Sequence, residues 1–411
     1  MTSALQGSTP GTSCPRVALT TYSVKPRGGV VHTLELAEAL QAAGVAVTVI
    51  AMGEPGAGFF RNVGVPVRII ESPPWQDTLE QRVFSWIDAM TAGLNQLRGE
   101  FDIVHSQDCI SARAAARVRD AGAGFPLVRT VHHVDDFTTQ ALIDCQRHAI
   151  TEPDRVLVVS ELWQRRLSAD YGVQASIVTN GVRPERFAVE LDEGRRAELR
   201  RRVGAEDRFL YLTIGGIEPR KGSRHLIEAL GRLKARRQDA PVLAVIGGHS
   251  FQDYREYREE ALSLLPELGL ELGRDVTLLG TVAERELAEW FAAADGFVFP
   301  SVKEGWGLAI LEAAGAGLPV VASDIEVFRE FLVDERDAIL TRVAEPDSLA
   351  RGMARLIDEP TTAGRLRENG PSLAARYSWS ATAAQHIAIY NDLALAQRLP
   401  SQDRSLASPG G

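Results

Sequence analysis

The sequence predicts an α/β protein with two doubly wound parallel-sheet domains in tandem. Apolar, strand-like runs alternate with segments of helical periodicity along almost the whole chain, a pattern typical of parallel sheets covered by helices. A charged, arginine-rich stretch near residues 183–207 interrupts this alternation once. The chain has 411 residues, which is too many for one ordinary hydrophobic core. Ligands of such proteins usually bind at the carboxyl ends of the strands, in the cleft between the domains.

The first half opens with a strand–helix–strand unit. The run "RVALTTYS" is apolar and β-branched, "VVHTLELAEALQAAG" carries apolar residues at helical spacing up to Gly44, and "VAVTVIAM" is a second buried strand. The same alternation predicts further strands in "FDIVHSQD", "PLVRTVHHVD", "RVLVVS" and "ASIVTNGV", with helices in "CISARAAARVRDAG" and "ELWQRRLSADYG".

A second series follows the charged stretch. It predicts strands in "FLYLTIGG", "PVLAVIGG", "DVTLLGTV", "GFVFPS" and "LPVVAS", and helices in "SRHLIEALGRLKARR", "ERELAEWFAAA", "LARGMARLIDEP" and "SATAAQHIAIYNDLALAQRL". The basic run at residues 195–202 is interpreted as a solvated helix face near the hinge.

The shifts in composition define the expected domain boundaries. We assign disordered ends to residues 1–15 and 400–411, a first domain to residues 16–185, a second domain to residues 186–379, and a last long helix to about residues 380–399.

Composition also narrows the class of protein. The formal net charge of −9 argues against a general nucleic-acid binder. Cys14, Cys109 and Cys145 have no paired spacing, so we expect neither a zinc site nor a disulfide framework, which fits a reducing cytoplasm. Cys109 is interpreted as a buried apolar filler rather than a reactive thiol. No apolar run is long enough to span a bilayer.

Gly28 and Gly29 lie between the first predicted strand and the first predicted helix. A glycine turn at a helix N-terminus leaves backbone N–H groups free to hold an anion. On this evidence alone, a plain strand–helix turn is the simpler explanation. The dinucleotide fingerprint G-x-G-x-x-G is absent here, which disfavours a dehydrogenase.

The equivalent place in the second half reads "GGIEPRKGSRHL". Gly215 and Gly216 end a predicted strand, and Lys221 comes just before a helix that should begin near Ser223. A lysine there can reach into the interdomain cleft and neutralise a phosphate. A solvated surface lysine fits the spacing equally well.

The segment "PSVKEGWGLAILEAAGAGLPVVASD" places two carboxylates in an apolar setting. A helix should begin at Gly307, so the backbone N–H groups of Trp306, Gly307 and Leu308 are expected to be free to hold an anion or a hydroxyl group. Glu304 precedes this helix, and Glu312 lies about a turn and a half inside it.

One ligand could therefore contact Glu304 near the helix start and Glu312 further off, and glutamate is a good acceptor for paired sugar hydroxyls. Two simpler interpretations stay open. Glu312 could be an ordinary exposed helix residue, and Glu304 a carboxylate favoured by the helix dipole.

His132 and His133 follow the strand "PLVRTV". Because side chains alternate along a strand, we expect one of them to point into the cleft and the other toward the core. Periodicity does not decide which, and a structural role is the commoner one for a histidine.

Taken together, these residues resemble a retaining glycosyltransferase of family 4, which has the GT-B double-Rossmann fold. The resemblance runs from Val17 to about Leu399. The run "EGWGL", with Glu312 eight residues after Glu304 and "GAGLPVVAS" beyond it, matches the two-glutamate motif of the family. "TNGVRPERF" matches its hinge and "SWSATAAQHIAIY" its closing helix.

The resemblance implies two Rossmann-like domains that face each other across a cleft, with the C-terminal helix crossing back to the N-terminal domain. Residues 16–185 would bind the acceptor, and residues 186–379 the nucleotide sugar. His132 and Glu304 would be catalytic, with His132 near the sugar and His133 as the second choice. Glu312 would contact the ribose hydroxyls. Donor phosphate would be held at Gly28, Gly29, Arg220, Lys221, Trp306, Gly307 and Leu308, and the base pocket lined by Gly280, Thr281 and Val282.

One position departs from the family pattern. The family usually has an arginine five residues before the lysine, where this chain has Gly216. Arg220 adjoins Lys221 and could supply the missing charge from a different direction. Trp306, where phenylalanine is common, is a milder change.

The implied reaction moves a hexosyl group from a UDP- or GDP-linked sugar to an acceptor hydroxyl, with retention of configuration and without a metal or other cofactor. Lys221, the Gly29 amide and the helix start after Trp306 would stabilise the diphosphate leaving group. The acceptor and the oligomeric state are not readable from the sequence. No nucleic-acid partner is expected. The charge balance of the first half gives no broad basic face for an anionic bilayer, so peripheral membrane contact stays open only through a local patch. Two alternatives stay open: a sugar phosphorylase on the same fold, and a non-catalytic nucleotide-sugar-binding protein, which Gly216 favours.

Overall fold

The computed structural model describes residues 14–248 and 254–398. Within these residues the chain forms two fully parallel β-sheets, one of seven strands and one of six. The predicted α/β fold with two doubly wound sheets is therefore confirmed. The disordered ends predicted at residues 1–15 and 400–411 lie outside the described residues, apart from Cys14 and Pro15.

The first sheet has the strand order 3-2-1-4-5-6-7. Its strands are β1 (Val17–Thr21), β2 (Val47–Gly53), β3 (Val67–Glu71), β4 (Ile103–Ser106), β5 (Leu127–Val131), β6 (Arg155–Val158) and β7 (Ser176–Ile177). Its helices are α1 (Gly28–Ala42), α2 (Leu79–Gln96), α3 (Cys109–Val118), α4 (Gln140–Thr151) and α5 (Glu161–Tyr171). The order reverses between β1 and β4, so the loops after these strands diverge and leave a crevice.

The second sheet has the order 10-9-8-11-12-13. Its strands are β8 (Leu210–Ile214), β9 (Val242–Ile246), β10 (Val276–Gly280), β11 (Gly296–Phe299), β12 (Val320–Ser323) and β13 (Ile339–Thr341). The remaining helices are α6 (Glu193–Arg202), α7 (Ser223–Arg236), α8 (Arg255–Glu267), α9 (Glu284–Ala293), α10 (Leu308–Gly315), α11 (Glu326–Arg329), α12 (Pro346–Asp358), α13 (Pro360–Ala374) and α14 (Trp379–Arg398). Here the order reverses between β8 and β11.

The last helix returns to the first sheet, as the resemblance implied. The Tyr390 hydroxyl on α14 lies 2.7 Å from Nδ1 of His105 on β4, and the Thr382 hydroxyl donates to the carbonyl of Thr179 at 2.9 Å. The boundaries assigned between the two domains stay predictions from the sequence.

The basic run at residues 195–202 is a solvated helix face only in part, because Ala197, Glu198, Arg201 and Arg202 are exposed while the rest of the run packs against its neighbours. Arg195 and Arg202 on α6 form ion pairs with glutamates of α9, and Arg200 pairs with Asp295 at 3.0 Å. Leu199 between them is completely buried. Arginine stems cover apolar surface while their heads bind carboxylates, so an arginine-rich pattern on α6 is compatible with a packed helix.

The pattern does not predict two of the strands, β3 and β13, or five of the helices, α2, α4, α8, α11 and α13. β3 is a half-exposed edge strand, and its short apolar run carries little periodic signal. No helix within the described residues combines the length and apolarity needed to cross a membrane.

Candidate active site

A cleft of about 1670 Å³ lies between the two sheets. Loops after β1, β4 and β5 form its first wall, and loops after β8, β9, β10 and β11 form its second. Both points of strand-order reversal therefore open into the same space. All the site residues expected from the sequence line this cleft: Gly28, Gly29, His132, Arg220, Lys221, Gly280, Thr281, Val282, Glu304, Trp306, Gly307, Leu308 and Glu312.

Glu304 lies at the centre of a group of cations and hydroxyls. One carboxylate oxygen accepts hydrogen bonds from Lys221 Nζ at 2.6 Å and from the Ser301 hydroxyl at 2.9 Å. The other oxygen lies 2.9 Å from Nη1 of Arg220. Ser301 and Glu304 follow β11, and both cations follow β8, so two adjacent strands deliver the whole group.

These contacts fix the charge of Glu304. Burial by itself would raise the pKa of this carboxyl, but attraction to Lys221 and Arg220 and the hydrogen bonds from Lys221 and Ser301 outweigh burial and hold the pKa at about 2. Burial lowers the pKa of Lys221, against the attraction of Glu304. Glu304 is therefore ionised at neutral pH and is not a general acid.

Gly216, where the family arginine is missing, lies against another glycine loop. A Cβ atom at residue 216 would lie 2.7 Å from the carbonyl oxygen of Gly248, closer than real Cβ contacts. The loops after β8 and β9 thus approach backbone to backbone, and this packing requires glycine. Arg220 instead contacts Glu304 through Nη1, and its Nη2 lies 3.9 Å from the carboxylate of Glu218.

The start of α10 faces the same group. The helix begins at Leu308, with Gly307 as its N-cap residue. Within the described residues, the backbone N–H groups of Trp306, Gly307 and Leu308 have no acceptor, as is usual for a helix start. The Trp306 indole is buried, and its ring stacks on Phe331 at 5.0 Å between centroids. Only the backbone of Trp306 can therefore serve a ligand.

Glu312 is half-buried on α10, eight residues after Glu304 in the sequence. No described residue donates a hydrogen bond to its carboxylate. Burial raises the pKa of Glu312 to about 7, with Arg186 opposing this shift and Glu284 adding to it. Burial without a partner is costly for a carboxylate unless a ligand supplies donors.

Gly28 and Gly29 are helical rather than part of a preceding turn. α1 begins at Gly28, after an extended Arg27, so their N–H groups belong to the exposed first turn. His132 lies directly opposite, because a Cβ atom on Gly29 would be 3.6 Å from Cδ2 of that imidazole.

His132 and His133 both line the cleft, contrary to the expected alternation, because they lie beyond the end of β5. His132 Nε2 lies 3.0 Å from the side-chain oxygen of Gln107, and burial holds the pKa of His132 well below its usual range. His133 Nε2 lies 3.5 Å from Asp135. The two histidines thus have different partners, one neutral and one acidic.

The loop of Glu304 and the end of β5 touch. A Cβ atom on Gly305 would lie 1.9 Å from the carbonyl oxygen of His132, so only glycine fits there. The Trp163 indole of the first sheet's α5 also donates to the carbonyl of Glu304 at 3.1 Å. The expected catalytic residues, His132 and Glu304, are therefore brought together by direct contact between the two walls.

The far end of the cleft is formed by backbone. Gly280 ends β10, and its carbonyl accepts from the N–H of Gly247 at 2.9 Å. Thr281 and Val282 follow it along the cleft wall. This group lies on the edge of the sheet away from β11, so it is separated from Glu304 by β9 and β8.

Several residues of the site escaped the sequence analysis. Gln107 lines the cleft and Ser301 is buried beside Glu304. Each lies at the end of a segment predicted as a strand, so position alone could have indicated them. Arg186 pairs with both Glu35 and Glu284 near Glu312, and nothing local in the sequence marks that network.

Two cysteines also meet, although their spacing suggested no pairing. The sulfur atoms of Cys109 on α3 and Cys145 on α4 are 3.7 Å apart, and both are free thiols that line the cleft. Cys109 is half-buried and packs against the apolar cluster between α2, α3 and the first sheet, which agrees with the filler role expected, although it also faces the cleft.

Two family models match the chain. Residues 26–186 match the model described as Glycosyltransferase Family 4, and residues 195–373 match the model described as Glycosyl transferases group 1.

Full-length relatives are similar along nearly their whole length. A D-inositol 3-phosphate glycosyltransferase of Frankia alni is 30% identical over 383 residues, which are 86% of this chain and 91% of that protein. D-inositol 3-phosphate glycosyltransferase 2 of Catenulispora acidiphila is 28% identical over 413 residues, 92% of this chain and 94% of that protein. The crystal structure of HepE from Anabaena in complex with UDP and glucose has a TM-score of 0.74 at 20% identity, and the match covers 92% of this chain and 99% of HepE.

Proposed function

This chain belongs to the family 4 glycosyltransferases of the GT-B fold, and from that membership we propose that it moves a hexosyl group from a nucleotide-diphosphate sugar to an acceptor hydroxyl with retention of configuration. The donor is UDP- or GDP-linked in this proposal. Its diphosphate lies between the starts of α1 and α10, its sugar lies beside Glu304 and His132, and its ribose lies beside Glu312. A cytoplasmic location also belongs to the proposal, since the three cysteines of the sequence are sparse and have no paired spacing.

The arrangement around Glu304 carries the proposal. Lys221 and Arg220 converge on this carboxylate, and the free N–H groups at the start of α10 follow it in the same wall of the cleft. Cations and helix N-termini are the groups that stabilise a departing diphosphate. Negative charge develops on the nucleotide as it leaves, and cations and free N–H groups gathered at one point stabilise that charge.

Different residues of the chain have different roles in the proposed reaction. Lys221, Arg220 and the amides of Gly29 and Leu308 neutralise the diphosphate as the glycosidic bond breaks. Glu304, ionised because its pKa is about 2, stabilises positive charge at the reacting sugar carbon. We favour same-face displacement, in which the acceptor hydroxyl enters on the side that the diphosphate leaves, over a covalent intermediate on Glu304.

His132 positions the sugar. Its Nε2–H donates to the Gln107 side-chain oxygen, so the neutral ring keeps Nδ1 as an acceptor for a sugar hydroxyl. Glu312 accepts hydrogen bonds from the ribose hydroxyls, which would compensate the burial of its carboxylate.

The proposal needs no metal, because the cations and helix starts meet the diphosphate directly. Among residues 14–248 and 254–398, no group of three or more histidine, cysteine, aspartate or glutamate side chains is arranged to hold a metal ion. Turnover measured with and without a chelator tests this part: equal rates are expected.

Nucleotide release from a panel of UDP-, GDP- and ADP-sugars tests the proposal, with Lys221→Ala as the impaired control. A sugar phosphorylase would be stabilised against heat by inorganic phosphate and not by nucleotide diphosphates. A non-catalytic binding protein would be stabilised by a nucleotide sugar without releasing nucleotide.

A further inference from the structure

Arg129 is a buried arginine in the cleft that the proposed reaction leaves without a role. It lies on β5, where its register partner is Ser106 of β4. Its side chain is only 5% exposed and contributes to the cleft wall. Nε and Nη1 of its guanidinium are fully buried, and neither has a hydrogen-bond partner within the described residues.

An unpaired buried guanidinium is expensive for a fold. Removing an ion from water costs several kcal/mol unless partners replace the water, and burial lowers the pKa even of Arg129. Buried arginines are therefore normally paired. One that lines a cleft with free donors points to a partner that arrives with a ligand.

The neighbouring carboxylates are already occupied. Asp108 accepts hydrogen bonds from the backbone N–H groups of Tyr22 at 2.8 Å and Ser111 at 2.7 Å. Asp135 faces His133 at 3.5 Å. Neither carboxylate lies within ion-pair distance of Arg129, although both are close enough to attract its charge.

The surroundings of Arg129 form a small, mostly apolar compartment on the α3 and α4 side of the first sheet. The thiols of Cys109 and Cys145 line the same cleft and lie close enough to influence the charge of Arg129. Six other cleft-lining side chains of this compartment are aromatic or aliphatic: Tyr22, Leu79, Val83, Ile110, Phe137 and Leu142. Apolar surroundings strengthen the attraction of a charged group for an opposite charge.

We propose that Arg129 binds an oxyanion, a carboxylate or a phosphate ester, that the acceptor substrate carries. This rests on the proposed function, because it places the acceptor in the first-sheet wall, opposite the donor. Arg129 on β5 is three residues before His132, which directly follows that strand, so the two are roughly 10 Å apart along the backbone at 3.3 Å per residue. A small anionic polyol spans that distance, with its charged end at Arg129 and a hydroxyl near His132.

Gln107 offers a second unused donor at the same end of the sheet. Its side-chain nitrogen is buried without a partner, while its oxygen accepts from His132. It follows Ser106, the register partner of Arg129. The amide thus lies between the proposed anion site and the proposed sugar site, where it can donate to an acceptor hydroxyl.

The test compares wild type with Arg129→Met, which keeps the length of the side chain and removes its charge. Both proteins are first saturated with the nucleoside diphosphate that raises Tm most, so that the donor phosphate site is filled. Tm is then followed during titration with inorganic phosphate, acetate and, at equal ionic strength, chloride. Arg155→Met, on the adjacent strand β6 and outside the cleft, is the matched control.

We expect phosphate or acetate, but not chloride, to raise the Tm of wild type and Arg155→Met, and to leave Arg129→Met unchanged. The difference between phosphate and acetate identifies the preferred oxyanion. In chloride alone, Arg129→Met should be at least as stable as wild type, because it loses an unpaired buried charge. Acceptor assays with matched alcohols, acids and phosphate esters should then favour the anionic compounds, and only in proteins that keep Arg129.

The proposal is overturned if phosphate and acetate change the Tm of wild type and Arg129→Met equally. It is also overturned if Arg129→Met has a much lower Tm than wild type in chloride and neither anion raises the Tm of wild type. Failure of the proposed function is seen separately. In that case no nucleoside diphosphate raises the Tm of any of the three proteins, and the anion comparison is made on the unliganded chain in a Lys221→Ala background.

Discussion

Lys221 and Glu304 are 2.6 Å apart at the junction of β8 and β11, the point at which the strand order of the second sheet reverses. In the proposed reaction, the lysine is thus held beside the proposed sugar site by a carboxylate before the donor phosphate arrives. Such preorganisation lowers the cost of orienting the cation when the donor binds.

Removing either cation should weaken donor binding. Because a hydrogen bond to a charged group contributes ~1.5–3 kcal/mol, Lys221→Ala and Arg220→Ala should each raise the Kd for the nucleotide sugar about 10- to 100-fold. Isothermal titration with the preferred donor measures this change.

Arg224→Ala is the control, because that arginine is half-exposed on α7 and pairs with Glu228. It should bind donor like wild type. If Arg220→Ala also binds like wild type, Arg220 does not replace the arginine missing at Gly216.

Glu304→Gln should bind donor but lose at least about 100-fold in kcat, since it removes charge only at the reacting centre. The pKa of about 2 for Glu304 means that it contributes stability above its unfolded pKa near 4.5, which is lost as pH falls toward 2. The free energy of unfolding should therefore fall less steeply with decreasing pH in Glu304→Gln than in wild type, as acid unfolding followed by circular dichroism would show. A kcat near that of wild type would remove Glu304 from catalysis.

Glu312 should make stability depend on pH in the opposite way. Its pKa is raised by burial to about 7, so the folded protein binds the extra proton between pH 4.5 and 7. Stability is fully present below pH 4.5 and falls as pH rises through 7. Glu312→Gln should remove that fall, as urea unfolding at pH 5 and 8 would show.

Ribose hydroxyls favour the ionised form of Glu312, so nucleoside diphosphate should bind wild type more tightly as pH rises through 7. The phosphate of the nucleotide titrates over the same pH range whether wild type or Glu312→Gln is measured. The difference between the two proteins therefore isolates the contribution of the Glu312 carboxylate. Parallel affinity curves for the two proteins would mean that Glu312 does not contact the ribose.

Gly305→Ala should disrupt the contact between the two walls of the cleft. Its Cβ would lie 1.9 Å from the His132 carbonyl, and overpacking of this kind costs typically 1–3 kcal/mol or more. We expect a lower Tm and weaker donor binding. Gly58→Ala, which meets no atom within 4 Å, should match wild type; a similarly unaffected Gly305→Ala would show that the loop moves freely.

Restoring the family arginine should fail. Gly216→Arg places a Cβ 2.7 Å from the Gly248 carbonyl, so it should lower Tm without improving donor affinity. Gly364→Arg, on α13 with no atom within 4 Å of the added Cβ, should keep the Tm of wild type. Tighter donor binding by Gly216→Arg would show that the glycine loops separate readily.

The sequence predicted both sheets and the position of Glu304, because apolar periodicity and a long local motif are properties of single segments. It did not predict the partners of Glu304, since Lys221 and Ser301 are joined to it only by the adjacency of β8 and β11. The meeting of Cys109 with Cys145, and the unpaired burial of Arg129, likewise depend on which helices pack together. The lack of space at Gly216 depends on the neighbouring loop.

The most direct test of the account is nucleotide release from UDP-, GDP- and ADP-sugars by wild type and Lys221→Ala. The account predicts that one UDP- or GDP-sugar is consumed, and that Lys221→Ala releases its nucleotide at least about tenfold more slowly at subsaturating donor. If no nucleotide sugar of the panel is bound or hydrolysed by wild type, or if Lys221→Ala is as fast, the cations beside Glu304 do not serve a donor diphosphate.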